Sequence, residues 1–517
     1  MARLSTTHVV DDEGLARLRT PRDNHLVQEA VAGDGRYIAL HGPFTRYQRT
    51  LRERVEADGT TTAVEAIEFS LAAPLWKVLI TPLARRALRR PPPPGRLPWW
   101  APPDRFDPRA ARVIAMLCTM SVLTGYLGTL ISQTITFAAD EFDRGTAAQG
   151  VTLAAVRVGV IIAVVMTALA DRRGRRPILF AAAVAGCVMA ATGAAATDLW
   201  GLGVSQSLAR GLATSLALLI AIMAAEESPA GSRAYVVSVL AMTAALGSGM
   251  VVWLLPLADL GDRAWRLLYL APLLALPGVV AIGRRLPESR RFEAVRAAGR
   301  RPKPRSERGR SEPSRWRNSR FVLLAATFFL IALFAAPASQ FQNEFLRDER
   351  GFSAARITLF QLTVNTPAGI GVLVAGRLAD TRGRRIVATV GILGGALATV
   401  LRYGADGWPM WMWGVVGTIV GAATVPALGV YAPELFATGR RSTNNGRVTV
   451  VAVVGSAIGL IVAGFLFDRL SFGSTFALLS IGPLLVAGLV LFRYPETARR
   501  ELEDINPEDA RAEPGGP

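Results

Sequence analysis

The chain has 517 residues, 51% of them hydrophobic, and a formal charge of +18 at pH 7. Its apolar stretches run long, as at 113–137, 151–170, 323–338 and 448–467, which excludes an ordinary water-soluble core; a helix needs about 20 mostly apolar residues to cross about 30 Å of hydrocarbon. Nucleic-acid binding is disfavoured despite the charge, because the basic residues gather in particular loops, as orientation by cytoplasmic Arg requires.

Metal, cofactor and redox chemistry also find little footing. The two cysteines, Cys118 and Cys187, fall in predicted membrane helices and offer no disulfide framework. The three His residues lack metal-ligand spacing, and no phosphate-cradling loop is present. No cofactor is expected, and nothing points to an enzyme. Lys occurs only at Lys77 and Lys303, against many Arg, which reads as the codon bias of a GC-rich bacterial genome.

Residues 1–110 read as a polar cytoplasmic extension with no cleavable signal, since the first long apolar stretch begins after residue 110. Apolar residues interleave with charges between Tyr37 and Glu56. Over 66–90, Ile67, Phe69, Leu71, Leu75, Trp76, Val78, Leu79 and Leu83 precede Arg85, Arg86, Arg89 and Arg90. That pattern predicts an interfacial helix on the inner leaflet, with packing against the cytoplasmic face of the membrane part as the alternative; Pro74 and Pro82 would break it and Pro91–Pro94 stop it.

Twelve spans are predicted at about 112–138, 150–171, 177–197, 200–225, 233–257, 265–284, 320–342, 354–379, 385–402, 408–433, 445–468 and 474–493. Odd spans are followed by acidic links (Asp140, Glu141, Asp143; Asp198; Asp259 and Asp262; Asp406). Even spans are followed by Arg-rich ones. This alternation places both termini in the cytoplasm of a multi-pass inner-membrane protein. The expected fold is all-α, with twelve helices in two pseudo-symmetric bundles, 111–285 and 320–494. A flexible basic linker at 286–319 joins them, and a tail at 495–517 follows.

Self-similarity supports the two halves more strongly than the span count does. Ala170-Asp171-Arg172-Arg173-Gly174-Arg175-Arg176 returns 209 residues later as Ala379-Asp380-Thr381-Arg382-Gly383-Arg384-Arg385. Glu226 with Arg233 returns 208 residues later as Glu434 with Arg441. Pro287-Glu288-Ser289 returns at the same offset as Pro495-Glu496-Thr497. Each motif closes an even span, and paired six-helix repeats are a transporter architecture.

These motifs resemble those of the major facilitator superfamily and its sugar-porter-like branch. Gly376 opens a close copy of the family's loop signature, whereas Thr167 stands where the first copy expects Gly. The resemblance covers about 112–505 and implies a secondary transporter, proton symport by default, that moves a small solute by alternating access. It implies that Asp171, Arg175, Arg176, Glu226, Arg233, Glu288, Asp380, Arg384, Arg385, Glu434, Arg441 and Glu496 form a cytoplasmic salt-bridge network. The network would hold the halves together in one state and release them in the other.

Ionisable residues inside the spans are few and therefore informative. Arg157 lies about 21 Å from the cytoplasmic end of its helix, and Arg210 about 15 Å deep, at 1.5 Å per residue. Arg210-Gly211 also resembles a fourth-helix arginine motif of the superfamily. Polar candidates for the cavity are Tyr126, Thr129 and Gln133 on the first span, Gln340 and Asn343 on the seventh, and Gln361 and Asn365 on the eighth. Gly247 and Gly249 suit close helix packing, and Pro337 and Pro367 suit kinks.

The acid that sugar porters carry in the first helix is missing, and so is their Gln-rich seventh-helix signature. Arg without central acids points to an anionic metabolite; separately, the carrier is expected to be monomeric and in contact with lipid. A cationic-drug exporter would want a membrane-embedded acid. A non-transporting sensor would bind a partner through residues 1–110.

Overall fold

The computed structural model describes residues 2–33, 35–55, 61–90, 101–102, 104–229, 232–290, 293, 315–369, 371, 374–375, 378, 383–429 and 441–496. Five strands come first: β1 Ala2–Val10, β2 Gln28–Gly33, β3 Arg36–His41, β4 Phe44–Val55 and β5 Thr61–Leu71. They form an antiparallel sheet in the order β1-β5-β4-β3-β2. Helix α1 (Asp12–Arg19) follows β1, and helix α2 (Lys77–Arg89) follows β5.

The predicted helix over 66–90 is therefore corrected. Its first part is strand β5, on which Ala63, Glu65, Ile67, Phe69 and Leu71 are buried at every second position. A period of two belongs to a strand. Apolar Val64 and Ala66 on the other face blur that alternation. Only Lys77–Arg89 is helical, and Ala84, Ala87 and Leu88 pack it onto Ile67 and Phe69. All-α architecture thus describes the membrane part, while the segment before it carries a sheet.

A buried charge cluster ties this sheet to α1. The Arg49 guanidinium donates to both carboxylate oxygens of Glu29, to Glu65 and to the Leu18 and Thr20 carbonyls. All of its N–H groups are satisfied, as its burial demands. Tyr47 donates to Glu29 at 2.5 Å, and burial together with the Glu29 charge pushes its hydroxyl pKa up.

Among the described residues ten helices are long and apolar enough to cross a membrane. The first span is Pro108–Glu141, started by Asp107, which accepts from the Ala110 N–H at 2.6 Å. The second to fourth are Thr146–Ala170, Arg175–Ala195 and Leu199–Ala224. The fifth and sixth are Arg233–Leu254 and Arg266–Arg285. The seventh, ninth and eleventh are Arg315–Gln340, Arg384–Gly404 and Arg441–Phe467, and the twelfth is Phe472–Arg493. The predicted eighth and tenth spans contain Ala354–Asn365, Gly407–Gly421 and Thr424–Gly429, and their remaining parts include residues outside the described set. A turn at Thr366 and Pro367 interrupts the helix of the eighth span, which resumes at Ala368 and Gly369.

The two halves repeat their packing. The first and fifth spans cross so closely that a Cβ on Gly247 would lie 1.8 Å from the Val122 carbonyl oxygen. The seventh and eleventh do the same at Gly459, where a Cβ would lie 2.2 Å from the Leu333 oxygen. Gly249, expected to serve such a crossing, faces open space.

The segment before the first span is anchored to the bundle. Trp76 Nε1 donates to the Ala115 carbonyl and to Thr119 Oγ1, at 3.1 and 3.0 Å. Arg105 pairs with Asp23, and the Asp104 N–H donates to Ser232 Oγ at 2.8 Å. The end of the bundle that carries the sheet is called the near end, and the opposite one the far end.

Candidate functional site

At the near end the repeated loop motifs have one local geometry. Gly174 and Gly383 take φ of 106° and 102°, a left-handed backbone that favours glycine. Each turns the chain straight into the next helix. The N–H groups of Arg175 and Arg176 then donate to Glu288 at 3.0–3.2 Å. Those of Arg384 and Arg385 donate to Glu496 at 2.9 and 3.2 Å. The two Pro-Glu acids are thus helix caps that come from the last span of the same half, at the helix end where negative charge is favourable. Arg175 also pairs with Glu226 at 3.0 Å, and Arg176 donates to the Gly283 and Arg284 carbonyls. Asp380 and Glu434 lie outside the described residues, as do the side chains of Asp171, Arg233 and Arg441.

Sequence reasoning missed the buried neighbour Glu227. It accepts from the Arg290 N–H at 2.9 Å, and its other oxygen faces Arg109 and Arg290 at 3.6 and 3.4 Å. Arg290 continues to Asp107 at 2.5 Å. Burial alone would raise the Asp107 pKa, but the Ala110 N–H and Arg290 outweigh it and hold the carboxyl below its usual range. The consecutive acids Glu226 and Glu227 gave no sign of which one faced inward.

At the far end the contacts cross between the halves. Asp140 pairs with Arg347 at 2.6 Å, and the Arg347 guanidinium lies 4.2 Å from the centre of the Phe137 ring. Thr146 and Gln149 both donate to Glu344, at 2.9 and 2.6 Å. Asp259 accepts from the Ala354 and Ala355 N–H groups at 2.8 and 3.0 Å, so one half caps a helix of the other. Gly150 and Gly464 allow the second and eleventh spans to touch: a Cβ on Gly150 would lie 2.5 Å from the Leu460 oxygen and 3.3 Å from the Gly464 Cα.

One level deeper, three of the predicted cavity residues meet. Asn343 Nδ2 donates to the Gln133 carbonyl at 2.8 Å and approaches its side-chain oxygen at 3.1 Å. Gln361 Nε2 donates to Gln133 Oε1 and to Asn343 Oδ1, both at 2.7 Å. This cluster joins the first span to the seventh and eighth. The other candidates do not gather with it. Tyr126 donates to the Leu268 carbonyl at 2.7 Å, and Thr129 bonds Ser248 at 2.9 Å, both within the first half. Asn365 is exposed, and Gln340 is half-buried.

Arg157 and Arg210 come together where the second and fourth spans cross, at Gly159 and Gly211. Arg210 donates to the Gly128 carbonyl at 2.7 Å. Arg157 has a buried Nε without a hydrogen-bond partner, and the Arg210 charge acts on it. Neither forms an ion pair among the described residues. A third membrane arginine escaped the sequence reading. Arg402 donates to Gln342 Oε1 and the Ala338 carbonyl, and it stacks on Tyr403.

Two repeated helical halves, charged loops at one end and cross-half bonds at the other define a multi-pass membrane protein of the transporter class. The "Sugar (and other) transporter" family model matches residues 113–310, and the "Major Facilitator Superfamily" model matches 323–514. The chain belongs to the major facilitator superfamily and is sugar-porter-like.

Solved structures share this fold. The inward open xylose transporter XylE from E. coli superposes with a TM-score of 0.61 at 16% identity, over 77% of this chain and 99% of its own. The bacterial homologue of the human lysosomal transporter Spinster, inward-facing and unoccupied, gives 0.59 at 16%, over 79% and 99%. The nucleoside transporter NupG gives 0.58 at 13%, over 74% and 100%. A curated relative, the cis,cis-muconate transport protein of Acinetobacter baylyi (strain ATCC 33305 / BD413 / ADP1), is 25% identical over 238 residues. That alignment takes in 44% of this chain, and the chain spans about half (55%) of the relative's length. The matched families and these neighbours are transporters, not enzymes.

Proposed function

We propose that the chain is a secondary transporter that carries a small carboxylate across a bacterial inner membrane by alternating access, with its near end in the cytoplasm. The observation that carries this reading is the Arg157–Arg210 pair, two half-buried guanidinium groups with no ion pair of their own among the described residues. A guanidinium at mid-membrane costs at least about 2.5 kcal/mol, and two adjacent ones add repulsion. A carboxylate bound between them offsets both costs through charge-assisted, bidentate hydrogen bonds. The curated relative's name, a muconate transport protein, supports a carboxylate over a sugar.

In this reading the far-end bonds are an outer gate in its closed state, and the cytoplasmic network of charged loops acts when the site faces outward. Glu344 is the best-placed proton carrier. It is buried between the halves, it accepts from Thr146 and Gln149, and no basic side chain among the described residues pairs with it. Burying a neutral carboxyl costs less than burying a carboxylate, so a proton on Glu344 would favour closure of the far end and its loss would favour parting of the halves.

The test is reconstitution into liposomes with labelled dicarboxylates, sugars and amines, with and without a pH gradient. Dicarboxylate uptake is expected, with Arg210→Gln raising the half-saturating concentration about a hundredfold, the cost of removing one partner of a buried charged contact. Equal uptake of sugars or amines, or an Arg210→Gln carrier with unchanged carboxylate affinity, would remove the anion assignment.

A further inference from the structure

A cavity of about 910 Å³, lined by neither Arg157 nor Arg210, lies between the first, fifth and sixth spans and the segment that leads into α2. Its walls are apolar: Met116, Met120 and Leu123 on one side, and the small side chains of Ala271, Ala275 and Gly278 on the other. A Cβ on Gly278 would meet nothing within 4 Å, so no group among the described residues fills the face that these small residues leave open.

The groove has a charged end. Lys77, Arg112 and Arg285 line it, are all exposed, and form no ion pair among the described residues. Lys77 is the first residue of α2, whose first turn carries no acid and whose N-cap, Trp76, makes no side-chain capping bond. Free N–H groups and the positive end of the helix dipole therefore add to the three cations. Such convergence of positive charge without a carboxylate calls for an anion.

The geometry fits a lipid in particular. From Arg112 to Tyr126, both on the wall, the first span rises about 21 Å, more than the roughly 15 Å depth of one leaflet. Leu75, at the mouth, is 71% exposed and held at φ 67°, a strained setting for a leucine. Val78 and Leu79 beside it are exposed as well. A run of exposed apolar side chains around a basic mouth, opening onto a membrane helix, matches acyl chains below and a phosphate above.

We propose that this groove binds one anionic phospholipid, with its headgroup phosphate held by Lys77, Arg112, Arg285 and the start of α2, and an acyl chain lying along Ala271, Ala275 and Gly278. Bound there, the lipid fills the join between the β-sheet segment and the first bundle, next to the Trp76 anchor. The inference stands whether or not the carboxylate reading does.

The test uses the purified full-length chain in detergent and native mass spectrometry, with phosphatidylglycerol or phosphatidylcholine of identical acyl chains. One retained phosphatidylglycerol is expected, preferred about tenfold over phosphatidylcholine. The triple variant Lys77→Gln, Arg112→Gln, Arg285→Gln should lose the preference, and Ala275→Leu with Gly278→Leu should lose both lipids. Equal retention of the two lipids by the wild type would overturn the site, as would a triple variant that keeps the preference. Displacement of the lipid by equimolar inorganic phosphate would show a free-anion site instead. If the variants fail to fold, bromine-labelled lipids decide on the native chain. The emission lost in Trp76→Phe must be quenched more by brominated phosphatidylglycerol than by brominated phosphatidylcholine, and equal quenching refutes the proposal.

Discussion

The two ends of the membrane bundle use the same residue types for opposite purposes. At the far end, acids, amides and glycines of one half meet those of the other: Asp140 with Arg347, Thr146 and Gln149 with Glu344, Asp259 with the start of the eighth span, Gly150 with Gly464. At the near end, the described charged contacts close within one half, as with Glu288 on Arg175 and Arg176 and Glu496 on Arg384 and Arg385. Far-end bonds must break for the halves to part, whereas the near-end caps travel with their own half. A charge motif repeated in sequence therefore marks a repeated local structure first, and a contact between repeats only in the state that brings them together.

The largest effect on this contrast should come from Gly150→Val. Its Cβ would fall 2.5 Å from the Leu460 oxygen, so the far end cannot close. A cysteine-reactive probe applied from that side should then label the Gln133–Asn343–Gln361 level, for instance through Ser132→Cys, at least tenfold faster than in the parent.

A middling effect is expected at the near end. Glu288→Ala removes a helix cap, worth about 1–2 kcal/mol, and should lower the melting temperature by a few degrees. Glu288→Gln keeps an acceptor oxygen and should lose about half as much. If both variants melt like the parent, the acid is not a cap. The smallest effect belongs to Arg347→Gln. The Asp140–Arg347 pair is partly exposed, and such pairs contribute about 0.2–1 kcal/mol. Far-end labelling should therefore rise by no more than about fivefold, and a rise as large as that of Gly150→Val would make this pair, not the glycine contact, the main closure.

Much of the membrane architecture was legible because lipid leaves few alternatives. Long apolar helices and the 208-residue repeat were readable directly, and the shared fold of the matched structures agrees with them. The segment before the first span was misread for a definite reason. Ile67, Phe69 and Leu71 carry the strand period, but Val64 and Ala66 add apolar character to the second face and Trp76 lends the look of a membrane helix. Gln133, Asn343 and Gln361 stood out in the sequence as polar groups within spans, yet their meeting depends on how two halves dock, which no local pattern encodes. Glu344 was overlooked because it sits beside Asp348 and Glu349 in what reads as a solvated charge run, whereas the chain turns it in towards Thr146 and Gln149.

Alternating access between these two ends is tested most directly by paired spin-label distances, in a background with Cys118 and Cys187 replaced by Ser. One pair would sit at the far end, Arg144→Cys with Arg469→Cys, and one at the near end, Arg172→Cys with Arg493→Cys; all four positions are exposed. In liposomes with a transported carboxylate, the far-end distance should lengthen in a fraction of molecules while the near-end distance shortens in the same fraction. Distances at both ends that stay unchanged while uptake proceeds, or that lengthen together, would contradict the account.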